Sequence, residues 1–111
     1  MAKIFICKVD DLAAGEMRKF ETEIGELLVF NREGEYFVTD DQCTHATASL
    51  SEGDYFDDTI SCPLHWGEFN IMTGEATAAP CKKPLRTYRV LVEGDEIHID
   101  SELEAEAAML K

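Results

Sequence analysis

Positive charge is what this sequence has least of. Ten Lys and Arg stand against 23 Asp and Glu, a formal net charge of −13 over 111 residues. Phosphate backbones need the opposite sign, so nucleic acid is excluded as a default partner. The same charge favours solubility and electrostatic steering toward basic protein surfaces. Long apolar runs are lacking as well. No stretch approaches the roughly 20 residues of a bilayer-spanning helix. Residues 1–25 show no apolar run behind a basic patch, so no leader peptide is expected, and a cytoplasmic location is. There is no G-x-G-x-x-G to hold a dinucleotide, no internal repeat and no long stretch of helical apolar periodicity.

Histidine and cysteine are scarce too, with three and four copies, and most of them are gathered in one place. Cys43–Thr44–His45 is followed, sixteen residues later, by Cys62–Pro63–Leu64–His65. Two thiols and two imidazoles can hold one tetrahedral Zn²⁺, or a [2Fe–2S] centre with cysteines on one iron and histidines on the other. Zinc modules usually pair like with like on one knuckle or helix face. Here each loop supplies one Cys and one His, which suits a two-iron cluster gripped from both sides. The other two cysteines read differently. Cys7 lies in an apolar strand and is expected to be a buried hydrophobe, while Cys81 follows Pro80 and is expected to pack rather than ligate. A Cys7–Cys81 disulfide would suit an exported protein, for which there is no sign.

The remainder of the chain reads as strands joined by short turns, and so as an all-β sandwich or barrel of antiparallel sheets. Strands are expected at Lys3–Val9, Met17–Thr22, Leu27–Phe30, Tyr36–Thr39, Thr59–Ser61, Glu68–Ile71, Leu85–Val92 and Glu96–Ile99, with Asn31–Glu35 as a hairpin turn. Between the two Cys/His loops, Leu50, Tyr55, Phe56 and Ile60 are candidates for a small second core, and Ala76–Pro84 is expected to be an irregular crossing segment. His98 alternates with Ile97 and Ile99 and is expected on the solvent face as a bystander. Ser101 and Glu104 form a capping box before Leu103, Ala107 and Leu110, a pattern equally compatible with a frayed tail and a docked helix.

The pattern C-x-H … C-P-x-H, with His65–Trp66–Gly67–Glu68–Phe69–Asn70 and the Thr73–Gly74 turn behind it, resembles the Rieske-type ferredoxins of bacterial aromatic-ring-hydroxylating dioxygenase systems. The resemblance covers nearly the whole chain. It implies the Rieske iron–sulfur fold as a single domain over 1–111, with a base near 1–39 and 85–100, an inserted cluster-binding subdomain near 40–84 and a tail at 101–111. It implies one [2Fe–2S] cluster on Cys43, His45, Cys62 and His65, and a proline loop at Ala79–Pro80–Cys81 covering it. The implied role is a monomeric one-electron carrier, not an enzyme, between an NAD(P)H-dependent flavoprotein reductase and a terminal oxygenase. Once His45 and His65 are used, no 2-His-1-carboxylate iron site remains for oxygen chemistry. The alternative is a Rieske-type small subunit of a redox enzyme such as assimilatory nitrite reductase. A structural zinc module would be colourless, whereas a Rieske protein is red-brown.

The resemblance also bears on potential. Exchanging two thiolates for two imidazoles removes negative charge, which is why Rieske centres lie within about −150 to +300 mV against about −400 mV for all-cysteine ferredoxins. High-potential members join their ligand loops by a disulfide, but the matching residues here are Ala48 and Leu64. Those members also place serine and tyrosine hydroxyls near the cluster sulfurs, where this chain has Gly67 and Phe69. A low potential is therefore expected. Trp66, next to His65, is expected either to pack within its loop or to serve as a docking contact.

Overall fold

A computed structural model describes residues 3–44, 48–63, 66–79 and 84–102. Among them ten strands follow one another: β1 (Lys3–Lys8), β2 (Met17–Thr22), β3 (Gly25–Arg32), β4 (Glu35–Asp40), β5 (Asp54–Phe56), β6 (Thr59–Ser61), β7 (Glu68–Asn70), β8 (Ala76–Ala78), β9 (Thr87–Glu93) and β10 (Glu96–Asp100). They form a six-stranded antiparallel sheet in the order β1-β10-β9-β4-β3-β2 and a four-stranded one in the order β5-β6-β7-β8. The larger sheet curls toward a barrel, and the whole is the all-β architecture that the sequence implied. Among the described residues no helix is long and apolar enough to cross a membrane.

Short turns set the registers. Glu33 and Gly34 take φ of 52° and 92°, the two left-handed residues that let a two-residue hairpin follow the twist of β3 and β4. Asn31 secures this turn by accepting the Gly34 N–H at 2.8 Å and reaches the Leu12 carbonyl through its own amide at 3.0 Å. In β1 a bulge between Phe5 and Cys7 turns both Ile6 and Cys7 inward. Cys7 is thus the buried hydrophobe expected of it. Burial, with the nearby Asp11 carboxylate, pushes its thiol up to about 11.

The core is divided. Period-two alternation along Leu27–Leu28–Val29–Phe30 sends Leu27 and Val29 to one side of β3 and Leu28 and Phe30 to the other. The first pair packs with Ile4, Ile6, Val38, Tyr88, Ile97 and Ile99 inside the large sheet. The second packs with Leu50, Ile60, Phe69, Ile71 and Leu85 beneath the small one.

Several expectations change. Ala76–Ala78 is a strand paired with β7, not part of an irregular crossing, and Asp54–Phe56 is a further strand that its Asp-rich flanks obscured. Val9 belongs to a 3₁₀ turn, Val9–Asp11, instead of to β1. Phe56 was expected inside but is 83% exposed, because alternation in the three-residue β5 can send only Tyr55 inward. The Tyr55 ring tilts against Phe30 with centroids 4.9 Å apart. His98 lies on the face opposite Ile97 and Ile99, yet it is largely covered. Phe5 meets its ring edge-on at 5.4 Å, and Glu96 sits 3.0 Å from Nε2. The tail beyond Glu102 and the Pro80–Lys83 part of the proline loop, Cys81 included, lie outside the described residues.

Two phenylalanines 26 positions apart in the chain should therefore respond oppositely. Phe30→Ala should lower unfolding free energy by about 3–5 kcal/mol, the usual cost of emptying a buried aromatic site. Phe56→Ala should stay within about 0.5 kcal/mol. Denaturant titration of the two variants checks the pair.

Candidate metal centre

Two loops of the same build rise from the smaller core. The first leaves β4 and is closed where the Cys43 N–H donates to the Ala48 carbonyl at 2.9 Å. The second leaves β6 and is closed where the Cys62 N–H donates to the Gly67 carbonyl at 2.7 Å. Each hydrogen bond joins a cysteine to the residue five positions on, so both loops begin with a Cys whose amide is fixed by the loop's far end. Both cysteines are buried and belong to the same apolar core as Phe69 and Leu85. His45 and His65 lie outside the described residues, as do Ala46, Thr47 and Leu64. Among the described residues no three metal-ligating side chains gather, and of the expected set the structure places Cys43 and Cys62 in one buried core.

The stem of the first loop depends on Asp41, which is 2% exposed. Its carboxylate accepts the Ser49 hydroxyl and, at 2.9 Å, the Ser51 N–H, while its carbonyl accepts the Leu50 N–H at 2.7 Å. A bridge between Gln42 and Ser49 completes a short ladder that runs up to the closing bond at Cys43. Sequence reading passed over Asp41. The available signal was a carboxylate two residues before a ligand-type Cys and eight before a serine pair.

Behind the second loop, Asn70 organises the turn into β8. Its side-chain oxygen accepts the Met72 and Thr73 N–H groups at 2.8 and 3.2 Å, and its carbonyl accepts that of Gly74 at 2.8 Å. The Gly74 carbonyl in turn accepts the Leu85 N–H at 2.6 Å, tying the chain's return to the small sheet. Where β4 and β9 leave the large sheet, the Tyr88 hydroxyl donates to Asp40 at 2.5 Å and the Arg86 guanidinium lies 5.0 Å over the Tyr88 ring. Burial, reinforced by the Asp40 carboxylate, raises the Tyr88 phenol well above its ordinary value of 10.

Trp66 is 62% exposed and holds φ of 60°, so the expected alternative of packing within the loop is not what the structure shows. Phe69 is fully buried.

A small all-β module with paired loops, each presenting a buried cysteine sulfur at its start, is the frame of an electron-transfer iron–sulfur domain. The donor set suits it, since soft sulfur from both loops meets in an apolar, water-poor core. The chain belongs to the Rieske [2Fe–2S] domain family, whose model matches residues 2–89, and it carries one Rieske [2Fe–2S] cluster. It is 48% identical over 102 residues to the ferredoxin component of biphenyl 2,3-dioxygenase from Rhodococcus jostii, covering 92% of this chain and 95% of that one. The Sphingomonas yanoikuyae B1 ferredoxin superposes with a TM-score of 0.84 at 41% identity, covering 88% of this chain and 97% of the other. A chain from a complex of reduced oxygenase and oxidised ferredoxin in carbazole 1,9a-dioxygenase superposes with a TM-score of 0.85 at 35% identity, with coverage of 94% and 97%. As in those ferredoxin components, the role is electron carriage and not catalysis.

The Asp41 ladder makes a direct prediction. Asp41→Ala leaves the Ser51 N–H without its acceptor, at about 1–3 kcal/mol for a group left unpaired, while the Ser49 hydroxyl keeps the Ser51 hydroxyl at 2.7 Å. Asp41→Asn keeps one acceptor oxygen and should lose less. Thermal unfolding of the two variants, followed by far-ultraviolet circular dichroism, checks the order.

Proposed function

We propose that Cys43, His45, Cys62 and His65 hold the [2Fe–2S] cluster, and that the protein is a low-potential, monomeric, cytoplasmic electron carrier. It takes electrons from an NAD(P)H-dependent flavoprotein reductase and passes them singly to the terminal oxygenase of an aromatic-ring-hydroxylating dioxygenase system. The carrying observation is the pair of buried cysteines on two loops closed by the same kind of hydrogen bond, in a chain close to a biphenyl dioxygenase ferredoxin component. The likeness to a ferredoxin from an oxygenase complex supports the acceptor side of that role. When bound, the cluster supplies a one-electron couple. The chain supplies the rest. Cys43 and Cys62 hold the inner side of the site in the core, and His45 and His65 complete the ligand set. The base near 1–39 and 85–100 and the cluster-binding part near 40–84 belong to this same assignment.

The residues around the site favour a low potential. Phe69 fills its position in the core with a ring that has no hydroxyl, and Gly67 has no side chain at all. Neither side chain offers a hydroxyl to a cluster sulfur, so the added negative charge goes without that stabilisation. Redox titration should place the midpoint near the ~−150 mV end of the Rieske range. A midpoint above zero sinks this part of the reading.

Trp66 is assigned to docking. A left-handed φ is rare for a bulky residue and costs about 1–3 kcal/mol, yet here it holds out in solvent the indole that follows His65 in the sequence. Exposed indoles are the commonest interface anchors, worth about 2 kcal/mol or more where they bury. Trp66→Ala should slow reduction by the reductase or reoxidation by the oxygenase by about tenfold or more, with the visible spectrum unchanged. Stopped-flow rates equal to those of the parent with both partners would remove Trp66 from the interface.

A further inference from the structure

The two cysteine loops are distant along the chain and must nevertheless stand at a fixed separation. One backbone connection between them runs through Gly53. The Leu50–Glu52 turn leaves the first loop and ends at Gly53, whose N–H donates to the Leu50 carbonyl at 2.9 Å. Leu50 itself is fully buried and donates its N–H to Asp41, two residues before Cys43. On the other side, Gly53 lies against Ser61, the residue immediately before Cys62, and its neighbour Asp54 pairs with Ser61 across β5 and β6.

The approach is too close for any side chain. A Cβ on Gly53 would stand 1.8 Å from the Ser61 carbonyl oxygen, 3.0 Å from its carbon and 3.3 Å from the Leu50 carbonyl oxygen. All three neighbours are backbone, so none can swing aside as a side chain would. The angle is not the constraint, since φ of −90° is open to every residue. Space alone demands glycine here. A methyl group would have to push Ser61, and Cys62 with it, away from the Leu50–Asp41 stem that carries Cys43.

We propose that Gly53 is a positioning residue: by lacking a side chain it sets the spacing between the loop that begins at Cys43 and the strand that delivers Cys62. The inference rests on the reading that both cysteines hold the cluster. The parent protein tests that reading first, because absence of iron and acid-labile sulfide from it would end the ligand assignment whatever Gly53 does.

The test compares Gly53→Ala with Ile97→Val, both in the full-length chain. Ile97 is fully buried in the core of the large sheet, and losing one methylene there loosens the fold without touching either the Gly53–Ser61 approach or the core that holds the cysteines. Gly53→Ala should release cluster iron to a chelator about tenfold faster, the lower end of what disturbed partners of metal ligands cost. It should also shift the electron paramagnetic resonance g-values of the reduced protein. Ile97→Val should lower the melting temperature and leave g-values and chelator rate at parental levels. Parental g-values and release rate in Gly53→Ala would overturn the proposal, as would equal shifts in Ile97→Val. Should Gly53→Ala bind no cluster, far-ultraviolet circular dichroism of the purified chain decides. Retained signal from the six-stranded sheet, which has its own core, supports the proposal, and complete loss of β signal overturns it.

Discussion

β3 has no solvent face along its middle, and the rest of the structure follows from that. Leu27 and Val29 enter one core and Leu28 and Phe30 the other, and all four are buried. A strand covered on both sides couples the two sheets in a way no loop contact could, because its pleat fixes the height of one core relative to the other. A register slip of one residue would exchange the two sets of side chains and misfit both cores at once. The buried cysteines therefore inherit their position from a strand that contains neither of them. They sit in the core that Leu28 and Phe30 floor, and the long β2-β3-β4 ladder holds that floor in place.

How much of this was legible depended on the kind of signal. The family pattern, the all-β class and most strands could be read because they are written as residue type at fixed spacing. Met17–Thr22 and Thr59–Ser61 have the bounds that alternation and turn residues suggested, and the Asn31–Glu35 turn contains the left-handed Glu33–Gly34 pair. Phe56 failed for a physical reason. Apolar character argues for burial, but in a three-residue strand the neighbour with the larger inward partner takes the core, and Tyr55 has Phe30 to meet. β8 was missed because Ala76–Thr77–Ala78 has little side-chain signal of its own, and its pairing to β7 is a property of the partner strand.

Gly53 and Asp41 were illegible for a different reason. A glycine among polar residues ordinarily signals a turn, and an aspartate in an acidic protein signals solvated charge. Each acquires its role only from a residue distant in sequence: Ser61 for Gly53, and Ser49 with Ser51 for Asp41. In a chain of net charge −13 a buried, hydrogen-bonded carboxylate cannot be singled out by composition. The same holds for Asp40, which spends its charge on the Tyr88 hydroxyl at the base of the loops.

The distribution of strain completes the argument. Among the described residues three non-glycines hold left-handed φ: Glu33, Asp57 and Trp66. Glu33 and Asp57 sit at hairpin turns, where that angle is what the strand twist requires, and aspartate tolerates it well. Trp66 has no hairpin to serve. Its angle follows from the closure of the second loop, since the Cys62 N–H reaches the Gly67 carbonyl only if the chain reverses over the intervening residues. That closure holds the cysteine's amide in place at the cost of a strained indole, and the freed ring stands in solvent. One hydrogen bond thus fixes the start of the loop and exposes a large apolar ring near its far end. A fold that merely stored a metal would gain nothing from that exposure, whereas a carrier that must meet a protein partner needs it.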